Sequence, residues 1–128
     1  MIEAPDHLDS LAKVVVDGAF QVHRTLGPGL LESVYEQCLT RELAKRGPGV
    51  RRQVAVPVTY DGDVIDSALK LDLLVEDKII AEIKAVEKII PLHKAQLLTY
   101  LKLSGLRLGF LVNFNVPLIR DGISRLAL

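Results

Sequence analysis

The 128-residue chain has one cysteine, no tryptophan and no net charge, with sixteen Lys and Arg balanced by sixteen Asp and Glu. A lone cysteine, Cys38, excludes a disulfide framework and a thiolate metal cluster. It falls in an apolar helical pattern, where a buried, inert thiol is expected. Zero net charge removes the basic excess that marks many nucleic-acid binders, yet a local basic rim can coexist with an acidic site. His23 and His93 are metal ligands in principle, but no two histidines have ligand spacing, which argues against zinc. No apolar run approaches the ~18 residues that span a bilayer. The Met1–Asp6 stretch is acidic and lacks the pattern of a secretory signal, so a cytoplasmic protein is expected. Repeats, low-complexity tracts and linkers are also missing, and the length suits one domain over 1–128.

What is present is the balance of a globular chain, 49% hydrophobic and 25% charged. Leu8, Leu11, Val15, Ala19 and Val22 recur at helical steps and predict a helix from about Leu8 to Leu26. Gly27-Pro28-Gly29 breaks it. A second helix is expected from Leu30, with Leu31, Val34, Cys38 and Leu39 inward, to Gly47-Pro48-Gly49. The short link means that the two helices pack together or turn sharply. From Val50 the period falls to two. Val54 to Val58 predicts a strand ending at the Tyr60-Asp61-Gly62-Asp63 turn, and Pro57 assigns it to an edge or a bulge. Val64–Val75 and Lys78–Lys84 read as the next strands. Pro91 to Ser104 reads as a helix stopped by Gly105, and Leu106–Phe114 as a strand covered on both faces. A turn at Asp121-Gly122 precedes a last short strand. The order α-α-β-β-β-α-β-β predicts a mixed sheet flanked by helices, with the third and fourth strands parallel across the helical crossover.

Glu82-Ile83-Lys84 ends an apolar strand. Period-two alternation puts its carboxylate and ammonium on one face and Ile83 in the core. Such a tripeptide arises about once by chance in a chain of this length, and Glu76-Asp77-Lys78 is a second instance, placed in a turn where nothing fixes a shared face. Asp72 makes the first instance informative. Asp72 and Glu82 share a face only if their strands pair with an even residue sum. That requires an odd loop, most simply Glu76-Asp77-Lys78, and sets Asp72 opposite Glu82. Facing carboxylates repel, and a bound cation reverses that sign. The plain alternative is a pair of solvated charges on a half-exposed strand.

Glu32 has two readings. With Gly29 as N-cap it closes a capping box at the third helical position; otherwise it is a further ligand, through water. Tyr35 and Glu36 share its face. On the third helix His93, Gln96 and Tyr100 line one face, with Leu92, Ala95, Leu98 and Leu101 forming the apolar pattern. That polar face is either a solvated helix edge or overlooks the carboxylates, where Gln96 would orient water or phosphate and Tyr100 would order its neighbours.

Gly29-Leu30-Leu31-Glu32-Ser33-Val34-Tyr35 resembles the signature of the GxxExxY protein family. The resemblance runs through Val22–Gly29, Asp72-Leu73-Leu74-Val75, Glu82–Val86 and Gln96–Leu101 to Leu111-Val112-Asn113-Phe114, nearly the whole chain. That family is placed in the PD-(D/E)XK nuclease superfamily, so the resemblance implies a restriction-endonuclease-like mixed sheet. It implies Asp72 as the metal-binding aspartate, Glu82 as the second acidic ligand and Lys84 as the catalytic lysine. Glu32 matches the acidic residue on the helix before the core. Gln96 and Tyr100 resemble the Q-x-x-x-Y motif of RecB-like exonucleases. Leu71 stands where the superfamily's name has proline.

The expectation is therefore a Mg²⁺- or Mn²⁺-dependent nuclease. Asp72, Glu82 and the Ile83 carbonyl would hold the ion, and Lys84 would position or deprotonate the attacking water. Arg51, Arg52, Lys88 and Lys94 are candidates for phosphate contacts with DNA or RNA. The rival is a non-catalytic binding module that keeps the fold. A homodimer through Leu126-Ala127-Leu128, or a partner subunit, would extend so short a chain's grip.

Overall fold

The computed structural model describes residues 5–128, with side chains from His7, and shows the predicted element order. Helices α1 (Pro5–Leu26) and α2 (Glu32–Lys45) are followed by strands β1 (Val50–Tyr60), β2 (Asp63–Val75) and β3 (Ile79–Lys84). Helix α3 (Pro91–Ser104), strand β4 (Leu108–Asn113), a 3₁₀ turn at Ile119–Asp121 and strand β5 (Ile123–Ala127) complete the chain. The five strands form one sheet in sequence order. Only β3 and β4, joined through α3, run parallel; the other neighbours are antiparallel. The Met1–Ala4 part of the expected non-secretory N-terminus lies outside the described residues. Among the described residues no helix is long and apolar enough to cross a membrane.

Two apolar layers hold the sheet. On one face Leu11, Val15, Ala19 and Val22 of α1 and Tyr35, Leu39 and Leu43 of α2 meet Leu73, Val75, Ile79, Ala81, Ile83, Phe110 and Val112. The helices approach closely at Gly18, where a Cβ would sit 2.7 Å from the Leu43 side chain. Cys38 packs half-buried against this layer. On the other face Leu97 and Leu101 of α3 meet Leu69, Leu71, Leu74, Ile80 and Leu111. A Cβ at Gly109 would lie 2.9 Å from Leu97, so glycine lets α3 settle on β4.

Two expectations are corrected here. Helix α2 begins at Glu32, with Leu31 as an N-cap that makes no side-chain bond. Gly29 has φ +98°, outside the extended geometry that an N-cap adopts, so no capping box forms and Glu32 opens the helix. The loop is held instead by the Tyr35 hydroxyl, which donates to Gly27 O (2.6 Å) and accepts from Leu30 N (3.1 Å). In α3 the inward residues are Leu97 and Leu101, whereas Leu92, Ala95 and Leu98 of the expected apolar stripe are exposed. Leucines surround this helix, so periodicity alone did not select the packed side.

Candidate active site

The β2–β3 hairpin has the predicted register. Leu73 pairs with Ala81, Leu74 with Ile80 and Val75 with Ile79, all with the same even sum, around the loop Glu76-Asp77-Lys78. Glu76 and Asp77 both have positive φ (52° and 55°), and Lys78 N donates to Val75 O, the handedness suited to a tight hairpin. Continuing the register places Asp72 opposite Glu82, but backbone pairing stops at Leu73–Ala81. Side chains take over. The Glu82 carboxylate (Oε2) accepts from the Asp72 amide at 2.8 Å, and the Asp72 carboxylate (Oδ2) accepts from the Ile83 amide at 2.9 Å.

This exchange follows from a break in β1 and β2. Leu73 and Val75 belong to the α1/α2 layer, yet Leu71 and Leu69, of the same parity, belong to the α3 layer. Likewise Val50 faces the first layer and Val54 the second. Both strands change faces at one level, between Arg52↔Leu73 and Val54↔Leu71, where Gln53 has φ +50°. Such local irregularities re-aim side chains. Asp72 sits at the crossover, at the fork where β2 leaves β3.

Around the fork stand the other groups. Glu82 is 5% exposed, and burial followed by the charge of Asp72 pushes its carboxyl up to about 8. Asp72 is raised chiefly by burial and further by Glu36, while the Ile83 amide acts against the rise. Glu32 is also raised, first by burial and then by Asp72, with Lys84 and the Ala85 backbone opposing. Lys84 is thus within electrostatic reach of all three carboxylates. Tyr100, half-buried on α3, is raised by burial and by the charges of Glu82 and Asp72, so it lies close to them. Gln96, one turn earlier, is exposed. The His93 Nδ1 accepts from Ile90 N (3.1 Å) and caps α3. His23 is likewise engaged, 2.7 Å from Val116 O.

Three contributors were not singled out from sequence. Glu36, 6% exposed, pairs with Arg52 (3.0 Å) and accepts from Gln53 (2.7 Å). The Gln53 amide also lies 3.4 Å from Asp72 Oδ1, linking α2 to the fork. Asn113 accepts from Val86 N (3.1 Å) and donates to Val86 O (3.0 Å), fixing the chain just beyond Lys84. A polar residue ending an apolar strand was the available signal for Asn113. For Glu36 the signal was its helical spacing from Glu32, whereas Gln53 depends on the tertiary crossover and had none.

Among the described residues no three His, Cys, Asp or Glu side chains converge as a ready-made ligand cluster. A Mg²⁺-sized ion does not require one, since it commonly uses one or two carboxylates and keeps several waters. Hard-oxygen donors gathered so closely that the charge of Asp72 raises the pKa of both Glu32 and Glu82 suit such a cation. Well-formed hollows occur elsewhere, one of about 370 Å³ at the opposite end of β3 between Leu8, Lys78, Arg107 and Leu128.

No curated protein and no solved structure gives a match. Residues 9–126 match the family model of the PD-(D/E)XK nuclease superfamily, whose nucleases generally use divalent metal ions. With a mixed five-stranded sheet flanked by helices and a match over nearly its full length, the chain belongs to the PD-(D/E)XK nuclease superfamily.

Proposed function

We propose that this single domain, residues 1–128, hydrolyses phosphodiester bonds of nucleic acid with Mg²⁺ or Mn²⁺, and that it is a cytoplasmic GxxExxY-family nuclease. The observation that carries the reading is the carboxylate exchange at the fork: Asp72, half-buried, and Glu82, buried, each accept from the other strand's backbone, Asp72 disfavours the charged form of Glu82, and Lys84 is beside them. Gly29, Glu32 and Tyr35 support the narrower family assignment.

Asp72 and Glu82, with the Ile83 carbonyl, would hold the ion, and Glu32 would assist through water. The bound ion supplies Lewis acidity toward the phosphate and charge for the transition state. Lys84 positions a water or takes its proton as the oxygen adds to phosphorus; the bond from phosphorus to the ester oxygen breaks, and that oxygen takes a proton from solvent water. Tyr100 orders the carboxylates from α3, and Gln96 reaches incoming phosphate or water from the exposed side. Asn113 and Gln53 position, respectively, the chain after Lys84 and Asp72. Of the four cations suggested for phosphate contacts, Arg51 is paired with Asp77 and Arg52 with Glu36. Lys88 lies four residues beyond Lys84, on the loop that leads to α3, and remains a candidate for the contact with Lys94.

Titration of the wild type and Asp72→Ala with Mg²⁺ and Mn²⁺, read by calorimetry and thermal unfolding, tests the reading. Binding and stabilisation of the wild type alone are expected. Absence of both in the wild type removes the proposal's support. Metal binding with no cleavage across DNA and RNA panels favours a non-catalytic binding module.

A further inference from the structure

A second feature stands at the end of the sheet that carries the fork. Helix α1 finishes beside the segment that follows β4, where His23 Nε2 lies 2.7 Å from Val116 O. That segment turns through Ile119–Asp121 and returns as β5. Asn113 N donates to Gly122 O (2.8 Å), and a Cβ at Gly122 would run into Asn113 O, so glycine lets the turn close on the end of β4. Between the helix end and the turn is a hollow of about 390 Å³, bordered by Phe20, His23 and Arg24 of α1 and by Pro117, Leu118 and Arg120 of the turn. That volume falls within the roughly 300–1,000 Å³ of small-ligand pockets.

The hollow combines charge of one sign with an apolar wall. Phe20, His23 and Arg24 stand three and four residues apart, so they share one face of α1. Arg24 and Arg120 are exposed, and Arg24 bonds to the neutral Gln21 side chain (3.2 Å). No acidic residue borders the hollow, although Asp121 follows Arg120 in sequence. Asp17, two turns before Arg24, is held by Lys13 (2.6 Å). The wall is made by half-buried Phe20 with Pro117 and Leu118, the last 52% exposed. Aromatic and apolar surfaces take the face of a nucleobase, and guanidinium groups take phosphate.

The hollow also lies near the fork. Lys84 pairs with Asn113 across β3 and β4, and Asn113 is bonded in turn to Gly122. Two strand spacings, about 10 Å, therefore separate the Lys84 backbone from Gly122, two residues after Arg120. Building on the nuclease reading, we infer that this hollow is a nucleotide subsite for the strand that flanks the scissile bond. An unpaired base rests against Phe20 and Leu118, and Arg24 and Arg120 hold the phosphates beside it. A base inside a duplex does not present its face, so the substrate is single-stranded next to the cut.

The test is binding of fluorescein-labelled oligothymidylate and oligouridylate, read by anisotropy in chelator over a salt series. Neither metal nor cleavage then enters the readout. Wild type is compared with Arg24→Gln/Arg120→Gln, Arg24→Lys/Arg120→Lys and Phe20→Leu, with circular dichroism as the check of folding. The wild type should bind. Arg24→Gln/Arg120→Gln should bind at least about tenfold more weakly and lose about 1.4 from the slope of log affinity against log salt, near 0.7 per phosphate. Arg24→Lys/Arg120→Lys should keep the slope. Phe20→Leu should weaken binding at least about fivefold with the slope unchanged, and a blunt duplex should compete poorly. A wild type that does not bind, a slope unmoved in Arg24→Gln/Arg120→Gln, or a duplex that competes as well as the single strand overturns the subsite. Cleavage with Mg²⁺ or Mn²⁺ is followed separately. Cleavage by the wild type with an unaltered affinity in Arg24→Gln/Arg120→Gln overturns the subsite and leaves the nuclease reading standing. Arginine-dependent binding without cleavage upholds the subsite and favours the non-catalytic binding module.

Discussion

Replacing Glu82 by Gln should stabilise the metal-free protein, by an amount that grows with pH. The buried carboxyl is pushed from its ordinary 4.5 to about 8, first by desolvation and then by Asp72. Its folded-state value is the higher one, so its contribution is intact below the unfolded value and is lost as pH rises through about 8. At about 1.4 kcal/mol per unit of separation, the whole effect is on the order of 4–5 kcal/mol. Roughly 1 kcal/mol of it is present at pH 5 and about 3 kcal/mol at pH 7. Gln does not titrate, yet its carbonyl still accepts from the Asp72 amide, where the wild-type bond is 2.8 Å. For a domain of this size 1 kcal/mol moves Tm by about 3 °C. The variant should therefore melt a few degrees higher at pH 5 and about 12 °C higher at pH 9, measured in chelator. Mg²⁺ should then raise the Tm of the wild type, more at pH 8 than at pH 6, and leave the variant nearly unchanged, because the ion favours the ionised carboxylates. A Tm difference that stays flat from pH 5 to 9, or equal metal stabilisation of both proteins, would refute the reasoning.

Arg52→Ala should cost about 2 kcal/mol in urea unfolding, because it leaves the buried Glu36 carboxylate without its guanidinium and Arg52 is itself partly solvated. Glu36→Gln made in that background should recover part of the loss; no recovery would mean that the cost is not the unpaired charge. Asn113→Ala removes both bonds to Val86 and should destabilise by about 2 kcal/mol. Limited proteolysis should find the Val86–Ile90 loop opened first, and a loop cut no faster than in wild type counts against the positioning role. Tyr35→Phe keeps the stack on Phe114 (4.5 Å between centroids) but drops the hydroxyl bridge to Gly27 and Leu30. A loss of about 1 kcal/mol is expected, and one below about 0.3 kcal/mol would assign the residue to packing alone.

Local rules carried much of this structure. The parity between Asp72 and Glu82 and the odd loop at Glu76–Lys78 follow from period two, and the observed register agrees. Pro91 and Gly105 bound α3 as their chemistry requires, with Gly105 at φ +73°. Other features arise only when layers meet. The face change at Gln53 and Asp72 needs positive φ in a non-glycine residue, which no alternation pattern announces. The buried side of α3 was decided by Gly109 and the Leu71–Ile80 surface rather than by the helix itself. Glu36 sits four residues after Glu32, but its pairing with Arg52 depends on how α2 crosses β1.

The central claim is that Lys84 acts on water beside a metal held by Asp72 and Glu82. Its most direct test compares wild type and Lys84→Ala for cleavage of labelled DNA and RNA with Mg²⁺, Mn²⁺ or chelator, alongside metal-induced Tm shifts of both. The account predicts metal-dependent cleavage by the wild type, stopped by chelator. It predicts a loss of at least about a hundredfold in Lys84→Ala, which still gains stability from metal. Equal cleavage by the two proteins, or cleavage undiminished by chelator, would contradict it.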